Sequence, residues 1–236
     1  MGFLQDLRGD IVFVRGALRA LKMTTPIAKN PTRVFPLVIA ELATKHGDAP
    51  ALISDRERLT YRSLAARANQ YARWALRQGI AKGDTVCLLM PNRPEYMAIW
   101  IGITSVGGVV GLINTNLVGP SLAHCIDIAA PKHIIVATEL AAILATAQPL
   151  IKSPAKIWSH GESSEFARID REFESIADHQ LTAAERPVLT IEDRALYIYT
   201  SGTTGLPKAA NINHYRVMLA SQWCPRCRCK ALDPRW

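Results

Sequence analysis

Between its two ends this sequence carries almost no net charge. Residues 1–35 hold six lysines and arginines against Asp6 and Asp10, and residues 224–236 hold four against Asp233. Those two segments supply all but +1 of the overall +8. A nucleic-acid-binding domain places its basic excess on the folded body, so the near-neutral middle argues against nucleic acid as a partner. Cysteine is scarce there too. Cys87 and Cys125 sit singly in the apolar runs TVCLLM and LAHCIDI, and read as small buried hydrophobes of a cytoplasmic chain. No secretory leader is legible, because charged residues interrupt the first apolar stretch and no small-residue cleavage site follows it. There is no repeat and no low-complexity segment. With 49% hydrophobic and 20% charged residues over 236 positions, the composition is that of a folded domain and not of a disordered one.

Charge is missing altogether from Tyr96 to Ala123. The core of that region, MAIWIGITSVGGVVGLI, is a 17-residue run, at the lower limit for crossing a bilayer. Its glycines at 102, 107, 108 and 111 and its strand-like end VVGLIN point instead to a buried helix followed by a buried strand.

What is present at the N-terminus is a stripe. Leu4, Leu7, Ile11, Val14, Leu18 and Leu21 recur three and four apart, with Arg8, Arg15, Arg19 and Lys22 beside or opposite them. This is one apolar face of a helix. Two readings stay open: a basic amphipathic helix that lies on the inner face of an anionic membrane through residues 3–22, or a helix that packs on its own domain. Gly9 and Gly16 weaken either by about 1 kcal/mol each relative to alanine.

After the linker KNPTRVFP, short apolar runs alternate with helical patterns. PLVIAELATKHGD predicts a helix ending at Gly47, ALISD and ERLTY a hairpin, and SLAARANQYARWALRQG a helix stopped by Gly79. TVCLLM, VVGLIN, HIIVAT, AKIWSH and ALYIYT predict strands. Pro94 suits the first turn of a helix that ends at the glycine pair. SLAHCIDIA and ELAAILATAQPL predict two more helices, and the polar stretch 161–194 reads as a surface excursion with one helix. The fold class is therefore α/β, a largely parallel sheet flanked by helices.

The segment YTSGTTGLPK carries the chemistry. A glycine-rich loop between a strand and a helix turns backbone N–H groups toward an anion, and the helix N-terminus adds a favourable field. Gly202 and Gly205 bracket two threonines, Ser201, Thr203 and Thr204 offer hydroxyl donors, and Lys208 follows as a mobile positive charge. The spacing Gly202-x-x-Gly205-x-x-Lys208, with Ala209 next, is not that of the P-loop NTPases. Nor is the Gly107, Gly108, Gly111 cluster a dinucleotide fingerprint, since it leads into a strand.

On these residues the chain resembles the AMP-forming acyl- and aryl-CoA synthetases. The run LTYRSLAARANQYARWALRQGIAKGDTVCLLMPNRPEYMAIWIGITSVGGVVGLINTNL, followed by LAHCI, is similar to their fatty-acid-transport-protein branch, the long- and very-long-chain acyl-CoA synthetases. The likeness spans about residues 3 to 223. It implies activation of a fatty acid in two steps: the carboxylate attacks the α-phosphorus of ATP, giving acyl-adenylate and pyrophosphate, and coenzyme A then displaces AMP. By the family pattern Thr200, Ser201, Gly202, Thr203, Thr204 and Gly205 hold the ATP phosphates, and Lys208 helps neutralise pyrophosphate as it leaves. Mg2+ is implied by that charge, but the family's glutamate ligand belongs to a later motif, so no metal ligand is assigned in this chain. The adenine segment, the ribose-gripping aspartate, the arginine after it and the adenylation lysine likewise have no counterpart after Val217.

The resemblance divides the chain into a basic amphipathic helix and linker (1–30), an incomplete N-terminal portion of the adenylate-forming domain (31–223) and a tail (224–236). The tail CPRCRCKALDPRW reads as a product of frameshift or truncation. Its alternative is a zinc knuckle on Cys224, Cys227 and Cys229 with His214, although a structural zinc site wants four ligands. The chain is expected to be inactive alone, with an apolar sheet edge left exposed. The rival readings are a ligase for another acid, carnitine-like or short-chain, and a non-catalytic nucleotide-binding or membrane-docking module.

Overall fold

The structure, a computed structural model, describes residues 24–200 and 206–222, with Val14, Gly16, Leu18, Leu21 and Lys22 ahead of them. Ser201, Gly202, Thr203, Thr204, Gly205 and the 224–236 tail lie outside the described residues, as does most of the N-terminal stripe.

A helical stretch at residues 24–29 leads into helix α1 (Phe35–His46), which ends at Gly47. Strands β1 (Pro50–Ile53) and β2 (Arg58–Thr60) form the expected antiparallel hairpin. Helix α2 (Tyr61–Arg77) starts on a reciprocal cap: the Thr60 hydroxyl accepts from Ser63 N, and the Ser63 hydroxyl accepts from Thr60 N. Two orphan N–H groups of the first turn are thereby satisfied. Gly79, at φ +69°, turns the chain away from the helix end, a left-handed conformation that glycine adopts without strain.

Strand β3 (Thr85–Leu89), helix α3 (Pro94–Ser105), strand β4 (Val109–Leu112), helix α4 (Gly119–Ala129) and strand β5 (His133–Ala137) follow, close to the boundaries the sequence predicts. Helix α5 (Ala141–Ala147), strand β6 (Lys156–His160) and strand β8 (Arg194–Thr200) also match predicted elements, whereas strand β7 (Ala167–Arg168), strand β9 (Lys208–Asn213) and helix α7 (His214–Gln222) are not predicted from the sequence; helix α6 (Ile169–Glu172) lies in the polar stretch. Seven strands make one sheet in the order β7-β6-β5-β3-β4-β8-β9, parallel throughout except for the β8–β9 pair. The uncharged run of residues 96–123 is α3 followed by β4 and the start of α4, and among the described residues no helix is long and apolar enough to cross a membrane.

Period-two alternation along the strands divides the core into two layers. Val86 and Leu88 of β3 and Ile135 of β5 face α1, α2 and α3 together with Leu64, Tyr71, Trp74 and Ile99. Cys87 and Leu89 of β3 and Ile134 and Val136 of β5 face α4 and α5, with Leu122, Cys125, Ile126 and Leu144. Both cysteines are free and buried. Each strand residue thus removes an apolar side chain from water on one face or the other, about 1.5–3 kcal/mol apiece.

Two sequence expectations are corrected. The stretch 161–194 is more than a surface excursion with its one α-helix: many of its residues are exposed, but it is anchored in the core. Ile169, Ile176, Leu181, Leu189 and Ile191 are buried, and the polar face of α2 is stitched to it. Gln70 donates to the Phe173 and Ile176 carbonyls, and Arg73 donates to the Ala177 and His179 carbonyls while pairing with Glu185 at 2.7 Å. Arg73 holds the Glu185 carboxyl down to a pKa of about 2. A polar sequence concealed the burial because α2 side chains satisfy its backbone carbonyls. The exposed edge of the sheet is also less apolar than expected: it is β9, KAANIN, in which lysine and asparagine interrupt alanine and isoleucine, a composition that discourages edge-to-edge pairing.

Helices α2 and α3 approach so closely that a Cβ on Gly102 would lie 2.4 Å from the Ala68 carbonyl oxygen and 2.7 Å from Tyr71 Cβ. An exposed helical glycine gains about 1 kcal/mol on becoming alanine. Here overpacking against backbone reverses the sign. Gly102→Ala is expected to lower unfolding stability by about 1–3 kcal/mol, read as a lower urea midpoint with an unchanged slope. A raised midpoint would show that the two helices have room to spare.

Candidate functional site

The strands from β3 to β8 are all parallel and end toward one edge of the sheet with their connecting loops, the edge where open α/β sheets place their ligands. Thr200, the last residue of β8, and Lys208, the first of β9, face each other directly across the β8–β9 ladder. Both are exposed. Among the described residues Lys208 has no carboxylate within ion-pair distance. A lone cation at the mouth of a hairpin, opposite a threonine hydroxyl, is suited to an incoming anion because no internal partner has to be displaced. The structure therefore brings together the first and last of the seven residues expected to contact phosphate.

One feature of the predicted site is corrected. The segment joins two strands, not a strand and a helix. α7 begins at His214, at the far end of β9, roughly 17 Å along the strand from Lys208 at the usual rise per residue. Its N-terminus contributes no field to the phosphate segment, since dipole effects fade within a turn. KAANIN gave no clear strand signal because alanine, asparagine and lysine are depleted in strands; pairing with β8 decides its conformation.

Sequence reasoning missed a second group of charges on the same edge. Arg93, after β3, donates to Glu139, after β5, at 2.6 Å and contacts His160 Nδ1, at the end of β6, at 3.2 Å. Glu95, in the first turn of α3, is buried and accepts from Arg67 and from the Tyr71 hydroxyl, with His160 Nε2 3.5 Å away. Burial alone would raise the Glu95 pKa. The hydrogen bonds from His160 and Tyr71 and the Arg67 charge outweigh it and hold the carboxyl below its usual range. Arg67, Arg93, Glu95, Glu139 and His160 line a cleft of about 480 Å³. Its carboxylates are already matched to cations, so the group serves to lock loops rather than to supply a free base. The Pro-Asn-Arg-Pro-Glu run was its only signal in the sequence.

Among the described residues no group of three or more His, Cys, Asp or Glu side chains is placed to hold a metal ion, and no described residue is assigned to magnesium. His214, the described member of the alternative zinc set, is buried at the start of α7 with both ring nitrogens unpartnered among the described residues.

The sheet order, the hairpin and the sequence around it meet in a family match that extends over residues 39–235. The chain belongs to the AMP-binding enzyme family. It is 32% identical to long-chain fatty acid transport protein 2 of Rattus norvegicus over 98% of this chain and 37% of that protein. The inhibitor-bound N-terminal domain of FACL13 from Mycobacterium tuberculosis superposes with a TM-score of 0.68 at 27% identity, covering 77% of this chain and 44% of that one. An anthranilate CoA ligase, AuaEII, solved with anthranoyl-AMP, shares the fold at a TM-score of 0.71 and 20% identity, over 78% of this chain and 35% of that one. The AMP-binding chain spans about a third of the length of the curated relatives it matches.

His214 generates a pH prediction. Burial lowers its pKa to about 4; the Asp193 charge acts in the opposite direction and Lys82 reinforces the lowering. A histidine depressed in the folded state is protonated first in the unfolded state, at about 6.5. Its contribution is therefore complete above pH 6.5 and lost as pH falls toward 4, by about 3 kcal/mol in all. His214→Phe removes two unpartnered polar atoms. It is expected to match or exceed the parent's stability at pH 7 and to flatten that part of the pH profile, measured by urea unfolding between pH 4 and 7. An unchanged profile would show that His214 finds a proton acceptor.

Proposed function

We propose that this chain grips the phosphates of ATP with Thr200, Ser201, Gly202, Thr203, Thr204, Gly205 and Lys208, as the ATP-holding part of a fatty-acid-activating ligase. The overall reaction is long-chain fatty acid plus ATP plus coenzyme A to acyl-CoA, AMP and diphosphate. The observation that supports it most directly is the pairing of Thr200 with an exposed Lys208, which has no carboxylate partner among the described residues, at the open end of the β8–β9 hairpin. Two anions, carboxylate and triphosphate, have to be brought together, and the charge that develops on the leaving pyrophosphate has to be met. Such a reaction is driven by positioning and by electrostatics. Lys208 supplies charge without the fork geometry of arginine, which suits a group that departs.

The fatty-acid assignment leans on the relatives named as long-chain fatty acid transport proteins and on one named as a medium/long-chain fatty-acid–CoA ligase. In this reading the 236-residue chain binds ATP without turning it over, since none of its residues is assigned to ribose, to magnesium or to the adenylation step. A second element of the proposal is attachment to the inner face of a membrane through residues 3–22. Val14, Leu18 and Leu21 occupy helical positions three and four apart and are 52%, 61% and 60% exposed, with Lys22 exposed beside them. An apolar stripe bordered by cations suits the interface of an anionic bilayer.

Calorimetry with Mg·ATP is expected to show saturable binding, weakened about tenfold, or about 1.4 kcal/mol, in Lys208→Ala. ATP–pyrophosphate exchange with oleate is expected to stay at background. Absence of any heat with Mg·ATP would overturn the phosphate assignment, and robust exchange would overturn the inactivity. In flotation with phosphatidylserine-containing vesicles the chain is expected to rise with the lipid, and the Leu18→Glu, Leu21→Glu double variant to stay behind. Equal recovery of the two would remove the membrane contact.

A further inference from the structure

Two consecutive residues of α4 reach the two flanks of the hairpin mouth. The Tyr199 hydroxyl, one residue before Thr200, donates to the Cys125 carbonyl oxygen at 2.8 Å. The His124 ring nitrogen Nε2 lies 3.1 Å from the carbonyl oxygen of Pro207, one residue before Lys208. Because a carbonyl only accepts, His124 donates, and its proton sits on Nε2. α4 is well placed to act as a fixed post: Leu122, Cys125, Ile126 and Ala129 are all buried in the layer beneath the sheet.

The entry side depends on Gly111. A Cβ there would meet the Tyr199 oxygen at 3.1 Å and Cys87 Sγ at 3.2 Å, so glycine makes the space that the phenol occupies. Burial pushes the Tyr199 pKa well above its usual value, and the hydroxyl remains a donor at any physiological pH. The exit side depends on His124, which is only partly buried. Pro207 has no N–H and a fixed φ, so pinning its carbonyl sets the direction in which Lys208 leaves the turn.

We infer that α4 braces the two strands at the mouth of the β8–β9 hairpin, with His124 as a positioning residue that aims Lys208 by holding the Pro207 carbonyl. The inference rests on the phosphate reading for its purpose, though not for its geometry. A brace set before the nucleotide arrives removes part of the ordering cost of binding a triphosphate beside Lys208.

The test compares the full 236-residue chain with His124→Leu, which removes the donor, and His124→Gln, which retains a side-chain N–H. Hydrogen–deuterium exchange of the peptide covering residues 199–208 is expected to quicken about five- to tenfold in His124→Leu, the loss of one hydrogen bond. Peptides from α2 and β3 are expected to keep their rates, and His124→Gln to restore the slow exchange. Mg·ATP affinity is expected to fall by a similar factor in His124→Leu while adenosine, which carries no phosphate, binds the two alike. Unchanged exchange of the 199–208 peptide in His124→Leu would overturn the brace, as would a uniform rise over the whole chain. Wild-type chain that binds no Mg·ATP, with exchange still raised by His124→Leu, would uphold the brace and sink the phosphate reading instead.

Discussion

β3 and β5 lie side by side with every one of their residues buried, and a strand buried on both faces has to be covered by helices on both. That constraint organises the molecule. α1, α2 and α3 take one face, α4 and α5 the other, and parallel pairing sends every connection to one of two sheet edges. The carboxyl edge collects the ends of β3, β5, β6 and β8, and with them the Arg93–Glu139–His160 group and the Thr200–Lys208 pair. The location of the candidate site is thus a consequence of covering apolar strands.

The same constraint explains where close packing is strictest. Gly102 lets α3 sit against the backbone of α2, and Gly111 lets Tyr199 reach across β4 to α4. Phe35 stacks on Trp100 with ring centroids 5.4 Å apart, tying α1 to the outer side of the first layer. Polar residues do comparable work where apolar ones are lacking. Arg73, Asn69 and Gln70 bind backbone carbonyls of the 173–180 segment and so extend the cover over α2. A buried arginine is tolerated because its donors are used on Glu185 and on three carbonyls.

Membership of the AMP-binding family and the hairpin geometry address different halves of the functional question. The family match says which family the fold belongs to, and the hairpin carries the proposal for where this chain would meet a nucleotide. Function lives in sites and not in folds. Lys208 at the mouth of β8–β9, and the two α4 contacts that flank it, are therefore more informative about this chain than the sheet itself.

Much was legible from residue order alone, because local periods report burial. TVCLLM and HIIVAT are continuous apolar runs, and such runs are strands covered on both faces. Gly79 and Pro94 mark a helix end and a helix start through their backbone limits, and the spacing of Gly202, Gly205 and Lys208 marked the candidate site. Tertiary structure decided what neighbours decide. KAANIN became an edge strand because β8 offered it a ladder. The polar 161–194 stretch was anchored to the core at a few apolar residues because α2 supplied donors for its carbonyls. His124 came to hold Pro207, 83 residues further along the chain, a contact that no local period can encode, since it exists only once α4 has docked beneath the sheet.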